Sequence, residues 1–211
     1  MIVPALLSLL SSLSFGPRRE AVTLLLAIGW IGVSASGPLS IAHAEQPESG
    51  PIYIAPFVPT PQEVVDQMLE LAQVSREDLV YDLGSGDGRI VITAAKRYGA
   101  KAVGFEIDAA LVRQSQRNIK EAGLEDLAEI REEDIRTVDL SPASVVTMYL
   151  YPGANLRLRA EIQRQLKPGS RVVSHDFSMG DWRPDRVERM IDSAGLLRTI
   201  YLWRIGDSST R

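Results

Sequence analysis

Seven residues, Asp82-Leu83-Gly84-Ser85-Gly86-Asp87-Gly88, follow an apolar run that begins at Leu79 and precede a helix-forming stretch from Arg89. Glycine has no side chain, so a glycine turn at a helix start lets backbone amides approach a ligand closely. The third glycine falls two residues after the second, and Arg89 stands where a dinucleotide-binding fingerprint needs glycine or alanine. That spacing argues against NAD. Glu106 ends the next apolar run, 22 residues after Gly84, where a carboxylate can accept from both hydroxyls of a ribose. Taken alone it could equally be a solvated residue or a helix cap. Asp134, in Glu132-Glu133-Asp134-Ile135, follows a third apolar run. It is either an acceptor for an adenine amino group or one exposed member of an acidic run.

Such residues must be held by strands. Short apolar runs over 79–83, 102–106, 128–131, 145–150 and 171–177 alternate with helical patterns, which predicts a parallel sheet covered on both faces. The first helix begins at Thr60-Pro61-Gln62-Glu63, read as a capping box, with Val65, Met68, Leu69 and Ala72 as its buried stripe. The next runs from Arg89 to Tyr98 and is closed by Gly99. Asp108 caps a third, with Leu111, Val112, Ser115, Ile119 and Ala122 on one face and Gly123 at its end. A fourth spans about 154–166. At the tail, 186–191 and 197–205 flank Asp192-Ser193-Ala194-Gly195 and read as an antiparallel hairpin, with a short helix as the alternative for the first arm.

The Asp82-to-Gly88 loop, Glu106 and Asp134 resemble the successive motifs of class I methyltransferases, which use S-adenosylmethionine. Further stretches narrow the resemblance: Pro56-Phe57-Val58-Pro59-Thr60-Pro61, the run from Val80 to Ile92, Tyr149-Leu150-Tyr151-Pro152 with Asn155, and Ser174-His175-Asp176-Phe177-Ser178-Met179-Gly180-Asp181-Trp182. Together they are similar to the small membrane-linked lysine methyltransferases, whose mitochondrial members modify the c subunit of ATP synthase and the adenine nucleotide translocator. The loop and the helix before it also resemble the non-SET histone lysine methyltransferases. The likeness runs from about Pro56 to Ile205. The glycine loop is common to many families, and the other stretches are more diagnostic.

The resemblance implies an α/β, Rossmann-like class I fold: a mostly parallel seven-stranded sheet, helices on both faces and a C-terminal antiparallel hairpin. It implies S-adenosylmethionine as cofactor, held by Thr60, Asp82, Gly84, Ser85, Gly86, Gly88, Glu106 and Asp134. Tyr149 and Asn155 follow the fourth strand, where methyl group and acceptor meet in this fold, and are the expected catalytic residues. Tyr149 has the alternative of an ordinary core aromatic, and Thr60 that of a plain helix cap. His175 reads as packing rather than as a base, while Asp176 and Asp181 are acids that could attract an ammonium group. Trp182 and Trp203 suit packing and recognition equally. The implied partner is a protein presenting a lysine, in or near a membrane. The other readings are a small-molecule methyltransferase and a non-catalytic cofactor-binding membrane protein, the latter disfavoured by an intact loop with Glu106.

Composition bounds these readings. The chain of 211 residues, 45% apolar, suffices for one sizeable core. It has no cysteine and only two histidines, His43 and His175, so the usual zinc sites and cysteine nucleophiles cannot be assembled. With 23 basic against 27 acidic residues it lacks the basic footprint of a nucleic-acid binder.

Residues 1–44 differ from the rest. Arg18-Arg19, the apolar stretch from Ala21 to Ser34 and Ala42-His43-Ala44 form a secretory-signal pattern, with an uncleaved membrane anchor as the alternative. Residues 45–59 read as a linker and 60–211 as the methyltransferase domain. No Lys or Arg occurs between Arg19 and Arg76, which favours a domain on the far side of the membrane from the amino end. S-adenosylmethionine is made in the cytoplasm, so cofactor supply favours a cytoplasmic domain. The sequence leaves this conflict open.

Overall fold

In the computed structural model, residues 57–206 are described; the signal-or-anchor segment and most of the linker lie outside them. Among the described residues, no helix is long and apolar enough to cross a membrane.

The elements run α1 (Gln62–Leu71), β1 (Leu79–Leu83), α2 (Arg89–Tyr98), β2 (Lys101–Glu106), α3 (Ala109–Ala122), β3 (Ala128–Glu132), β4 (Val145–Met148), α4 (Pro152–Gln165), β5 (Arg171–His175), β6 (Arg186–Ile191) and β7 (Leu197–Arg204). All seven strands form one sheet in the order β3-β2-β1-β4-β5-β7-β6. The pairs β1–β2, β1–β4, β2–β3 and β4–β5 are parallel, and β7 is antiparallel to both β5 and β6. The expected C-terminal hairpin is therefore present, with its first arm a strand.

Strands buried on both faces explain the continuous apolar runs. Val80, Ala102, Val145 and Val173 face α1, α2 and α3. Their neighbours Tyr81, Val103, Val146 and Val172 face the opposite way, against Leu158 and Ile162 of α4 and Trp203 of β7. Strand order reverses between β1 and β4. A crevice at the carboxyl ends of those two strands is the usual ligand position in such sheets.

The helix ends follow local chemistry. Asp108 caps α3 by accepting from the amides of Ala110 and Leu111, and Gly99 and Gly123 end α2 and α3 in the left-handed conformation. Leu111 is half-buried and Ala122 exposed, so the buried stripe of α3 is Val112, Ser115 and Ile119. The capping box at Thr60 is not formed. Pro61 precedes α1 without a side-chain cap, and the Thr60 hydroxyl turns instead to His175 Nδ1, 3.2 Å away. Glu63 accepts from the amide of Ser193. A buried partner in β5 and a donor in the hairpin take the two side chains that a local rule had paired.

Strands β4 and β5 stop earlier than their apolar runs suggest. Tyr149 and Leu150 leave the sheet after Met148, and Pro152, suited to a first helical position, starts α4 two residues sooner than expected. After His175 the chain turns tightly: Asp176 adopts φ 57°, and the Phe177 amide donates to His175 O at 2.7 Å. A non-glycine residue at that φ is strained, and such strain collects at functional sites.

Candidate active site

The carboxyl end of β1 runs into the glycine turn. Gly84, Gly86 and Gly88 have φ of 78°, 55° and 81°, a region that only glycine adopts freely. A methyl group on Gly86 would also collide with the Phe57 ring, so the residue is needed for space as well as conformation. Gly104 in β2 has a similar role that the sequence pattern did not flag. A Cβ there would meet the side chains of Ser85 and Ile130 at 2.6 Å. Ser85 is thus wedged under the loop, its hydroxyl buried and without a partner.

Glu106 braces the turn. One carboxylate oxygen accepts from the Gly86 amide at 2.9 Å, and the other from the amides of Ile107 and Asp108 at 2.8 and 3.0 Å. Its carboxylate is nearly covered but lines a cavity of about 720 Å³. Thr60, Asp82, Gly84, Ser85, Asp134 and Tyr149 line the same cavity. Gly86 and Gly88 are not in its wall. Gly86 lies beneath Phe57 and donates to Glu106, and Gly88 occupies the N-cap position of α2.

Asp82 is the electrostatic outlier. It is 2% exposed and accepts a hydrogen bond from the Thr147 hydroxyl at 2.7 Å. Burial pushes its pKa up to about 7, against the help of Thr147, and the charges of Glu106 and Asp87 push the same way. Asp134 is held below the usual carboxylate range, chiefly by hydrogen bonds from the Arg136 guanidinium. It faces the cavity with that arginine already attached.

A segment over the loop completes the cavity. Arg89 donates to Thr60 O at 2.8 Å and pairs with Asp87 at 2.6 Å, tying the Phe57-to-Thr60 segment to the glycine turn. In the sequence Arg89 served only to exclude a dinucleotide site. Its structural task had no sequence signal, because its partner is a backbone carbonyl 29 residues away.

Aromatic side chains form the other wall. The Tyr149 ring lies against His175, centroids 4.0 Å apart, and near-parallel to Phe177 at 6.1 Å, and Tyr151 stands 6.1 Å from Phe177 on the outer side. Tyr149, Tyr151 and Phe177 all line the cavity. Burial raises the Tyr149 pKa, and the carboxylate of Asp176 adds to the rise. His175 is fully buried, and that burial pushes its pKa down to about 4. Its Nε2 lies 3.3 Å from Asp176 Oδ2 but off the line a hydrogen bond needs. A neutral imidazole of that pKa is a packing element, in agreement with its sequence reading.

Asn155 stands apart. It is fully buried outside the cavity wall, and its amide donates to Ser174 Oγ and Phe177 O, both at 3.1 Å. This clamps the strained turn that carries Phe177. Asp176 is paired with Arg198 and Asp181 with Arg159, so neither acid is a bare carboxylate. Trp203 donates its ring N–H to Trp182 O and packs in the core.

This sheet order, with a strained glycine turn at the switch point and a carboxylate from the next strand behind it, defines a class I S-adenosylmethionine-dependent methyltransferase. Residues 82–186 match the family model of the ANTKMT methyltransferase domain. A protein-lysine N-methyltransferase of Saccharolobus islandicus is 46% identical over 153 residues, covering 72% of this chain and 94% of the relative. The human lysine N-methyltransferase of the ATP synthase c subunit is 36% identical over 63% of this chain, which spans 56% of that longer protein. Among solved structures, an RNA methyltransferase from Salinibacter ruber in complex with S-adenosyl-L-homocysteine is 54% identical with a TM-score of 0.67, covering 72% of this chain and 95% of that one. The chain belongs to the ANTKMT methyltransferase family.

Proposed function

We propose that this enzyme transfers the methyl group of S-adenosylmethionine to a lysine side chain of a protein in or near a membrane, and that its amino-terminal apolar segment holds it there on the cytoplasmic side. The observation that carries the acceptor reading is the wall of Tyr149, Tyr151 and Phe177 beside the buried Asp82. A flexible aliphatic chain ending in an ammonium suits an aromatic wall, through apolar contact and attraction to the ring faces. The names of the Saccharolobus and human relatives support it.

The cavity residues fit the cofactor. Glycines without side chains let the turn border the cavity closely, Ile107, Leu111 and Ile135 supply apolar walls, and the carboxylates of Asp82, Glu106 and Asp134 stand along it. Glu106 would hold the ribose and Asp134 the adenine amino group. Asp82, at the β1 terminus, would hold the cationic amino-acid end, with Thr60, Gly84, Ser85, Gly86 and Gly88 shaping the backbone cradle. When bound, S-adenosylmethionine would supply an electrophilic methyl group on a sulfonium, whose carbon a neutral amine would attack in line, the N–C bond forming as the C–S bond breaks, with S-adenosylhomocysteine leaving as the neutral thioether and the product as a methylated ammonium. Tyr149 and its aromatic neighbours orient the amine and exclude water, which lowers the ammonium pKa by desolvation and frees the lone pair. Asn155 acts through Phe177, whose turn it clamps, and is a positioning residue.

An RNA acceptor is the second reading, favoured by the description of the Salinibacter ruber relative. Net acidity opposes it, since RNA recognition calls for a basic surface. The test is labelled-methyl transfer into membrane extracts, with the protein and RNA fractions counted separately and lysines mapped by mass spectrometry. Label on lysine, at a rate rising with pH until the bound amine is deprotonated, is the expected result. Label confined to RNA or to small molecules overturns the lysine reading.

A further inference from the structure

The large apolar side chains left exposed are not scattered. Among the described residues all but Val187 lie at the carboxyl end of the sheet, where the cavity opens. Phe57, Val58 and Tyr151 stand at the cavity mouth, and Ile191, Leu196 and Leu197 stand on the tip of the β6–β7 hairpin. The tip residues are 63%, 53% and 61% exposed and adjoin one another, and it is such clustering rather than single exposed residues that marks a surface.

The hairpin overhangs the sheet. β5 pairs with β7 only as far as His175, opposite Ile200, whereas β6 and β7 remain paired through Arg189, Met190 and Ile191. Three further residue pairs extend about 10 Å past the end of β5. The overhang is braced. Asp192 accepts from the amides of Ala194 and Leu196 and from Arg198 Nε, and the Ser193 amide donates to Glu63 of α1 at 2.7 Å. Between Met190 and Leu197 the only charged residue is Asp192, which is buried and paired with Arg198. The tip is a braced turn with three exposed apolar side chains; the charges at its base are the Asp192–Arg198 pair and the Glu63 carboxylate held by the Ser193 amide.

We infer that this end of the domain is a lipid-facing surface, on which the β6–β7 tip enters the headgroup region of a bilayer with Phe57 and Val58 beside the cavity mouth. The inference rests on the membrane reading above and adds which face meets the bilayer. Three features select lipid as the occupant. A two-strand tip that projects past its neighbour β5 can enter a soft interface with three apolar side chains but offers too little area for a stable protein contact. The chain enters the domain at Phe57, on this rim, from a sequence that carries the apolar run Ala21 to Ser34. The acidic run Glu132-Glu133-Asp134 follows β3, at the far edge of the sheet, whereas on the hairpin side Asp176 and Asp192 are paired with Arg198, so the hairpin side is the less acidic approach to a membrane.

The chain has no cysteine, which gives a clean test. An environment-sensitive dye is placed on Leu197→Cys of the full chain, or on Lys167→Cys at the opposite end as control, and phosphatidylcholine vesicles are added with and without phosphatidylglycerol. Flotation of the unlabelled chain separately reads membrane association itself. Expected is a blue shift of the Leu197→Cys dye, quenched by lipid-borne quenchers, with no change at Lys167→Cys. Flotation without that shift overturns the lipid-facing surface and leaves membrane association standing. Absence of flotation overturns both. A dye already blue-shifted without lipid means the tip is covered by this chain's own amino-terminal segment or, where the shift grows with protein concentration, by a second copy. Either result also overturns the inference.

Discussion

Two aspartates four residues apart mark the ends of β1, Asp78 just before it and Asp82 as its penultimate residue, and they have opposite fates. Asp78, at the amino end, accepts from the amide and hydroxyl of Ser75, from Ser144 Oγ at 2.7 Å and from Arg171 at 2.8 Å. Burial alone would raise its pKa; Ser144, Ser75 and Arg171 outweigh burial and hold it below the usual carboxylate range. Asp82, at the carboxyl end, is more deeply buried, has the Thr147 hydroxyl as its hydrogen-bond partner, and sits at about pKa 7. One end of the strand spends its polar groups on itself. The other leaves a carboxylate short of partners, which costs stability until a ligand with the complementary charge arrives.

The largest effect expected from this contrast is on folding. Asp78→Ala leaves Arg171, which also donates to Ala72 O, without its buried counter-charge. Removing one partner of a buried pair costs about 3 kcal/mol at the lower end of the usual range, appropriate here because some water still reaches Arg171. Chemical denaturation should show that loss, while the variant that remains folded binds S-adenosylhomocysteine as before. A comparable loss of affinity would mean that the two ends of β1 are not independent.

Next in size is the carboxyl end itself. Glu106→Ala removes a buried carboxylate that braces Gly86 and faces the cavity, and a hydrogen bond to a charged group is worth about 1.5–3 kcal/mol. Calorimetry should find cofactor binding weakened by roughly one to two orders of magnitude. Unchanged affinity in a folded variant would remove Glu106 from the ribose site.

Protonation separates the aspartates further. The raised folded-state pKa of Asp82 means that its contribution to stability is fully present below the unfolded value near 4 and is lost as pH rises through about 7. Asp78, held low, behaves oppositely. Its contribution is present above the unfolded value and lost as pH falls through the lower folded one. On the proposal that Asp82 holds the cationic end of the cofactor, binding calls for its ionised carboxylate, so affinity for S-adenosylmethionine should fall by up to about tenfold per unit below about pH 7, with no linked proton release above it. Asp82→Asn should bind poorly at every pH yet melt higher than the parent at about pH 8. A flat affinity profile in the parent between about pH 6 and 8 would break this assignment.

The sequence was most legible where function and fold depend on backbone chemistry within a few residues. The β1 run, the glycine turn, α2 with its Gly99 end and the Asp108 cap of α3 all lie where local pattern put them, because steric and capping rules act locally. What escaped depends on distant partners. Thr60 turned from its own helix to His175, 115 residues away, and Asn155 turned from the cavity to the Phe177 turn. The tie from Arg89 to the Thr60 carbonyl and the space reserved by Gly104 for Ser85 likewise exist only once the sheet has formed. A motif can name a residue without saying which way its side chain faces.

Thr60 gives the smallest and most discriminating prediction, because it sits between the two regimes. It is 4% exposed and lines the cavity, as a cofactor contact would, yet its hydroxyl is engaged with His175 Nδ1 beneath the Tyr149 ring. Thr60→Val keeps the shape and removes the hydroxyl. If its task is to satisfy His175, the variant leaves a buried ring nitrogen without a partner, at a cost of about 1–2 kcal/mol. For a chain of this size that lowers Tm by a few degrees. Affinity for S-adenosylhomocysteine should then stay within about twofold, less than about 0.5 kcal/mol, and Arg89 should still hold the segment through the Thr60 carbonyl, which the substitution does not touch. If instead the hydroxyl serves the cofactor, affinity falls while Tm of the ligand-free protein hardly moves. Thermal melts and calorimetry on the one variant decide between a brace for the aromatic wall and a cofactor ligand, and the former is the outcome that the buried contact with His175 predicts.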